Sequence, residues 1–517
     1  MSTTGQIPVA GGRNGIRRVL RMPILQGLVL IAVLVAASLV EAGKLTALGN
    51  ANSWLQLQVG NWILAHHAVP HNGVFSQSAN LPWADPNWGL QVTLAVLYRV
   101  MGLRALPFGF MMLRMLFALA LFLLARGSCG SFWRAAGISL WAQAGMLGAL
   151  TPPFALLFAV FLAVELGLLL HSRCSGRVQA SYWIPPLIFV WANFDWHFVF
   201  GAAVFCLFVL VCALERLFES QSWEFVSFFQ RPQLPLSQLG IVAGATLVAS
   251  LLSPSSYHSY VTAWQDLFGN SPLVNSLGMK SLTFREPQHY ALMFLAMFAF
   301  FLLGRRQARD LFQVILLATN VCLGFAVGSE TWIATVTAVA VIGGFLARRD
   351  ANQPAAMPMA RGTFSVAAGI AAGVLIATAM RMPARRETLL DVTAKAFPVR
   401  ACDFIQEHKL PGPLFNELEW GGFVVWYLPD HPVAIDDRYE LYGEEKTKLY
   451  YGVTGGQIDP TSDPDLTGAN TVLLSSHNAL IKGLEIFPDR ERMFEITFPG
   501  FHEVYRDELA VVLTKQP

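Results

Sequence analysis

Runs of Leu, Val, Ala and Phe recur along the chain between short polar segments rich in arginine, and their lengths predict an α-helical polytopic membrane protein. Eleven transmembrane helices are predicted, at about 23 to 42, 108 to 125, 135 to 150, 154 to 170, 182 to 193, 198 to 214, 238 to 254, 287 to 304, 312 to 328, 332 to 347 and 364 to 380. Several are shorter than the roughly 20 residues a hydrocarbon core asks for, so interfacial side chains must complete them. The segments 135 to 150 and 182 to 193 are the weakest of the set. The first is long enough to span, and no small-x-small cleavage site follows before Glu41, so it reads as a retained helix.

A long polar interruption, residues 43 to 107, separates the first two spans and concentrates Trp54, Trp62, Trp83 and Trp88 with Gln56, Asn61, His66, His67 and His71. Indole and amide groups beside apolar spans belong at the membrane–water interface, where a substrate-facing surface is expected. Residues 52 to 65 predict a helix lying in that interface, with Trp54, Leu57, Val59, Ile63 and Leu64 on its apolar side and Gln56 and Asn61 on its polar side. After about residue 381 the pattern changes. Short apolar runs at 432 to 435, 471 to 474, 493 to 498 and 509 to 514 predict strands, and 400 to 408, 441 to 451 and 478 to 487 predict helices. The expected organisation is an N-terminal segment 1 to 22, a membrane domain 23 to 380 and a small C-terminal α/β domain 381 to 517.

Composition agrees with the pattern: the chain is 54% hydrophobic and 14% charged, far more apolar than a soluble domain. A net charge of +2 gives no basic face of the kind a nucleic-acid binder needs. The six cysteines show no short paired spacing outside the spans, so neither a zinc site nor a disulfide framework is suggested. Arginine placement sets the orientation. With the N-terminus inside, inner segments hold sixteen Lys and Arg residues and outer loops before the last span hold five. The 43 to 107 loop, the loop from Ser253 to Gln288 and the tail are therefore expected on the outer face.

Motifs along nearly the whole length carry a resemblance. The first loop keeps Trp54, Leu57, Gly60, Trp62, Ile63, Leu64, Pro70, Phe75, Ser76, Trp83 and Trp88; the middle keeps Trp191-Ala-Asn193, Gly201 and Ser253-Pro254. The tail keeps Phe415-Asn416, Glu419-Trp-Gly-Gly422, Ile435-Asp436, Arg438, Leu441-Tyr-Gly443 and Val504-Tyr505. In these features the chain resembles a bacterial branch of GT-C-type polytopic membrane glycosyltransferases. The resemblance implies a GT-C-like fold and transfer of a sugar from a polyprenyl-phosphate carrier to an envelope acceptor at the outer face of the inner (plasma) membrane. Membrane lipid, a polyprenyl-phosphate-linked sugar and envelope proteins are the implied partners; no nucleic acid, cofactor or metal is assigned.

The departures bear on chemistry. Asn50 and Asn52 stand where that family has two acidic residues, Trp54-Leu55-Gln56 where it has Trp-Trp-His, and Pro86-Asn87 where it has His-Glu. Asn193-Phe-Asp-Trp-His197 replaces Asn-Leu-His-Gly-Gly, and Ser329-Glu330 replaces Arg-Asn. Sugar transfer of this kind needs a carboxylate to take the acceptor's proton or hold a metal, and an amide cannot accept that proton. The substitutes on the outer face are Asp195, Asp85 and Glu41, with Glu330 a fourth. Glu41 also reads as an end-of-span carboxylate and Asp85, before Pro86, as a turn residue. Asp195 and His197 sit at a helix break where they cannot face lipid, so they line a cavity or pair with each other.

Substrate-binding candidates are Trp54, Gln56, Trp62, Trp83, Trp88, Asn193, His197 and Arg114. Arg114 lies inside the second span and needs an internal partner: a lipid phosphate, Glu330 or Asp195. The histidines at 66, 67 and 71 lack metal-ligand spacing and read as interfacial surface. In the tail, Gly421 and Gly422 would let a helix start pack closely on a strand, and Arg438 would bridge Asp436 or Glu419. Three functions compete: a glycosyltransferase with a non-standard carboxylate, a catalytically degenerate relative serving as a binding or assembly component, and a transporter. The last is disfavoured because no internal repeat or paired broken helices are seen.

Overall fold

The computed structural model describes residues 23–129, 131–147, 154–219, 234–268, 281–305, 310–350, 361–382, 386–486 and 497–515. Among the described residues fourteen helices precede the C-terminal sheet region. They are α1 (Pro23–Lys44), α2 (Ala51–His66), α3 (Trp88–Met101), α4 (Ala105–Cys129), α5 (Phe132–Met146), α6 (Ala155–Ser175), α7 (Ile184–Ala192), α8 (Phe198–Glu219), α9 (Leu236–Leu251), α10 (His258–Phe268), α11 (Pro287–Gly304), α12 (Leu311–Ala326), α13 (Thr331–Asp350) and α14 (Arg361–Arg381). Six stretches are long and apolar enough to cross a membrane, and α9 and α12 are shorter apolar helices. The chain is a mostly helical, multi-pass membrane protein.

Each of the eleven predicted segments holds a helix whose bounds differ by at most a few residues; residues 148–150 of the 135 to 150 segment lie outside the described residues. The sequence pattern does not predict α3, which falls within the polar interruption. Its first turn is Trp88-Gly-Leu-Gln and its last carries Arg99, so its apolar run is masked at both ends; a short turn at 102–104 joins it to α4. Helix α4 packs against α1, α5, α6 and α13 at the centre of the bundle. On one side the bundle is tied by a buried ion triad: Arg173 of α6 meets Glu215 of α8 at 2.7 Å and Asp310, the N-cap of α12, at 3.0 Å. Such a triad is stable while complete, because removing one member strands an uncompensated charge.

The tail contains α15 (Arg386–Thr393), α16 (Val399–Glu407), β1 (Leu414–Asn416), α17 (Gly421–Tyr427), α18 (Tyr439–Thr454), β2 (Thr471–Ser475), α19 (Ala479–Ile486), β3 (Phe501–Arg506) and β4 (Ala510–Lys515). The four strands form one sheet in the order β1-β2-β4-β3, with β1 and β2 parallel and the other pairs antiparallel. Strands β2 and β4 stand where the sequence puts them, whereas most of the run at 493 to 498 lies outside the described residues. The expected strand at 432 to 435 reduces to single bridges from Val433 to Leu414 on one side and to Ser76 on the other. Pro432 lacks an N–H, and one residue of pairing is all that separates the first long loop from the sheet.

Helix α2 forms as predicted, with Asn50 as its N-cap accepting from Ser53 N at 3.0 Å. Its apolar face is turned into protein rather than lipid: α2 is wedged between α3 and α17. Trp54, 0% exposed, is the anchor of that wedge. Its ring lies 4.4 Å from Trp426 and 5.5 Å from Phe423, and its Nε1 donates to Leu48 O at 3.1 Å. The approach is close enough to exclude a side chain on α17. A Cβ on Gly422 would fall 2.4 Å from Ala51 O, and one on Gly421 2.4 Å from Ile435 O. The glycine pair thus seats a helix start on α2 and on the 435–436 backbone.

Trp54→Ala should cost about 3–5 kcal/mol, the usual range for emptying a buried aromatic site. The expected result is a lowered unfolding temperature with new protease cleavage in the tail, while Trp54→Phe retains most of the stability. An unchanged unfolding temperature and cleavage pattern in Trp54→Ala would contradict the wedge.

Candidate functional site

Three parts of the chain meet at one buried junction: the end of the first long loop, the break between α7 and α8, and the turn that starts α18. Asp85 lies at its centre and is 1% exposed. Its Oδ1 accepts from Asn87 N at 2.9 Å, as expected of an Asx turn before Pro86, and its Oδ2 accepts from Gln91 Nε2. Gln91 Nε2 also donates to Gln56 Oε1 at 2.7 Å, so α2 and α3 together hold the carboxylate. The Asp85 carbonyl accepts from Ser255 Oγ at 2.9 Å. Burial pushes the Asp85 carboxyl up to about 6, against the pull of its hydrogen bonds and of Arg438, while Asp195 adds to the rise.

The break between α7 and α8 supplies the second group. Asn193 accepts from Trp88 Nε1 through its Oδ1 at 3.0 Å and from Gly89 N through its carbonyl at 3.0 Å, which ties the break to the start of α3. Two residues on, Asp195 Oδ1 accepts from His197 N at 2.8 Å and also bonds the ring nitrogen Nδ1. With its amide nitrogen turned towards the break, Asn87 donates to Asp195 Oδ2 at 3.2 Å and to Phe194 O at 3.3 Å. On the far side of the imidazole, Nε2 faces Glu330 Oε1 at 3.5 Å. Phe158 and Trp196 stack on the ring at 4.7 and 3.9 Å. Burial alone would strip the His197 proton, but the Asp195 and Glu330 carboxylates outweigh it and push the imidazole up to about 10.

The tail closes the third side. Arg438 grips Asp436 with two parallel bonds, Nε to Oδ1 at 2.9 Å and a terminal nitrogen to Oδ2 at 2.7 Å, and Tyr442 OH donates to the same Oδ2 at 2.8 Å. The guanidinium lies 4.6 Å over the Trp83 ring, and Trp83 Nε1 donates to Glu440 Oε1 at 3.1 Å. Burial would raise Asp436, but Arg438 and the hydrogen bonds hold it below the usual carboxylate range. The neighbouring half-buried acids go the other way: partial burial pushes Glu440 up to about 7, and partial burial with the Asp436 and Glu419 charges pushes Asp437 up to about 8.

The predicted site residues divide accordingly. Asp85, Asp195, His197, Gln56, Trp83, Trp88 and Asn193 meet at the junction. Trp54 is a packing anchor, and Trp62 stacks on His66 at 4.2 Å near the end of α2. Arg114 donates to Met146 O at 3.2 Å, with its guanidinium 5.3 Å from the Phe110 ring. Glu41 lies in the last turn of α1, and its side chain lies outside the described residues. Gln91 and Glu440 belong to the junction and were not singled out by sequence; only the bracketing of Asp85 by amides on a helix face could have pointed to Gln91. Arg438 and Asp436 bridge as expected, in a fully buried pair.

The raised acids fix a pH dependence. In the unfolded chain these carboxyls titrate near 4, and in the folded junction at about 6, 7 and 8 for Asp85, Glu440 and Asp437. The folded state therefore holds more protons, and the stability present below about pH 4 is lost as pH rises through about 8. Unfolding temperature measured across that window should fall with pH, and Asp437→Asn with Glu440→Gln should flatten the fall. A rise with pH would contradict these assignments.

The crystal structure of ArnT from Cupriavidus metallidurans bound to undecaprenyl phosphate is similar to this chain at a TM-score of 0.44 and 14% sequence identity, over 98% of this chain and 100% of that chain. No protein-family model and no curated protein matches this chain.

Proposed function

We propose that the chain is a GT-C-like membrane glycosyltransferase that moves a sugar from a polyprenyl-phosphate carrier to an envelope acceptor at the extracytoplasmic face, with Asp85 as its general base. The observation that carries this reading is the setting of Asp85: a buried carboxyl held by Asn87 N and by Gln91, which in turn bonds Gln56, with the Arg438 charge acting on it; burial pushes it up to about 6. A base with that affinity is ionised at neutral pH and close enough to it to accept a proton effectively. In the reaction the acceptor hydroxyl gives its proton to Asp85, its oxygen bonds the anomeric carbon, and the bond from that carbon to the phosphate oxygen breaks to release polyprenyl phosphate. Asp195 is less suited to the role, since it is committed to an ion pair with the His197 ring, whereas the hydrogen bonds that hold Asp85 come from uncharged donors.

The same engagement of Asp195 favours the second reading, a degenerate relative that persists as a binding or assembly component. The two are separated by assaying release of polyprenyl phosphate from a panel of polyprenyl-phosphate sugars with the purified protein. The expected outcome is turnover with at least one donor, reduced roughly 10² to 10⁴-fold in Asp85→Asn. Absence of turnover with every donor, or full activity in Asp85→Asn, sinks the assignment.

A further inference from the structure

We propose that His197 and Glu330 are positioning residues that set the proton affinity of Asp85 through Asp195, by way of one continuous chain of contacts. That chain runs from the start of α13 to the first long loop. Glu330 Oε1, held by Ser329 Oγ at 3.1 Å, faces His197 Nε2 at 3.5 Å; His197 bonds Asp195 through its backbone and its ring. Asp195 then takes the Asn87 amide at 3.2 Å, and Asn87 N donates to Asp85 at 2.9 Å. Rings on both sides of the imidazole, Phe158 and Trp196, hold it in line.

The electrostatics follow from the order of charges. The charged groups facing Asp85 are Arg438 and Glu440 from the start of α18 and Asp195 from the α7–α8 break. Asp195 favours a proton on Asp85, and the imidazolium behind Asp195 opposes that effect. Glu330 in turn opposes the imidazolium. Removing the His197 charge should therefore make Asp85 hold its proton to higher pH. Removing the Asp195 charge should do the reverse, and so, more weakly, should removing the Glu330 charge, which leaves the imidazolium less opposed. A residue that merely filled space would not give shifts of opposite sign.

The consequence for rate rests on Asp85 being the base, but the titration itself needs no turnover. The full-length protein in lipid nanodiscs is titrated by infrared difference spectroscopy, following the protonated-carboxyl band that disappears in Asp85→Asn. The expected result is a midpoint raised in His197→Gln and lowered in Asp195→Asn, each by roughly tenfold in proton affinity. Glu330→Gln, which disturbs packing least, should lower it by less. Midpoints that stay put, or that move in one direction in the His197 and Glu330 variants, overturn the proposal. Lack of sugar transfer in the wild type, alongside opposite shifts, would instead overturn only the reading of function.

Discussion

Keeping charge out of water is the constraint on which the junction depends. An unpaired buried ion costs several kcal/mol even after relaxation, so each must be met by a partner or by a proton. The junction uses both solutions. Arg438 and Asp436 neutralise each other in a two-bond grip, and His197 sits as a cation between Asp195 and Glu330. Asp85, Glu440 and Asp437, which outnumber the cations left to meet them, hold protons to higher pH instead. The packing around them serves this arrangement. The Trp54 wedge brings α17 and the 435 to 442 turn against the first loop, and Trp83 fills the space between Arg438 and Glu440.

The polar groups around the junction make sense as one arrangement of charge. Asn50 serves as a helix cap. Asn87 donates to Asp195 across the α7–α8 break. A glutamate at 87 would set two carboxylates against each other there, at a cost that an amide donor avoids. His197 adds a cation on the other side of Asp195, and Glu330 faces it. Each group is intelligible only with its neighbour, which is the mark of a coupled set of charges.

The membrane part was legible because an apolar run of span length has few other uses. The helix α3 was hidden because glycine, glutamine and arginine at its ends resemble the loop around it. In the tail, β2 and β4 were legible from their apolar runs, while β1, three residues long, and α17, which starts on two glycines, gave no periodic signal. Local chemistry was partly legible: the Asp436–Arg438 pair and the Asp195–His197 pair were each one of the alternatives the sequence left open. What could not be read was the meeting of Trp83 with Glu440, 357 residues apart, since a single sequence holds no record of such a contact. The meeting of the tail with the first long loop was lost with it.

The account is tested most directly by determining the structure of the full-length protein with a polyprenyl-phosphate sugar bound, by electron cryomicroscopy. It predicts the sugar between the first long loop and the tail, with its anomeric carbon on the Asp85 side and the Asp195–His197–Glu330 chain intact behind. A sugar bound elsewhere, with Asp85 still sealed by Gln91 and Asn87, would contradict it.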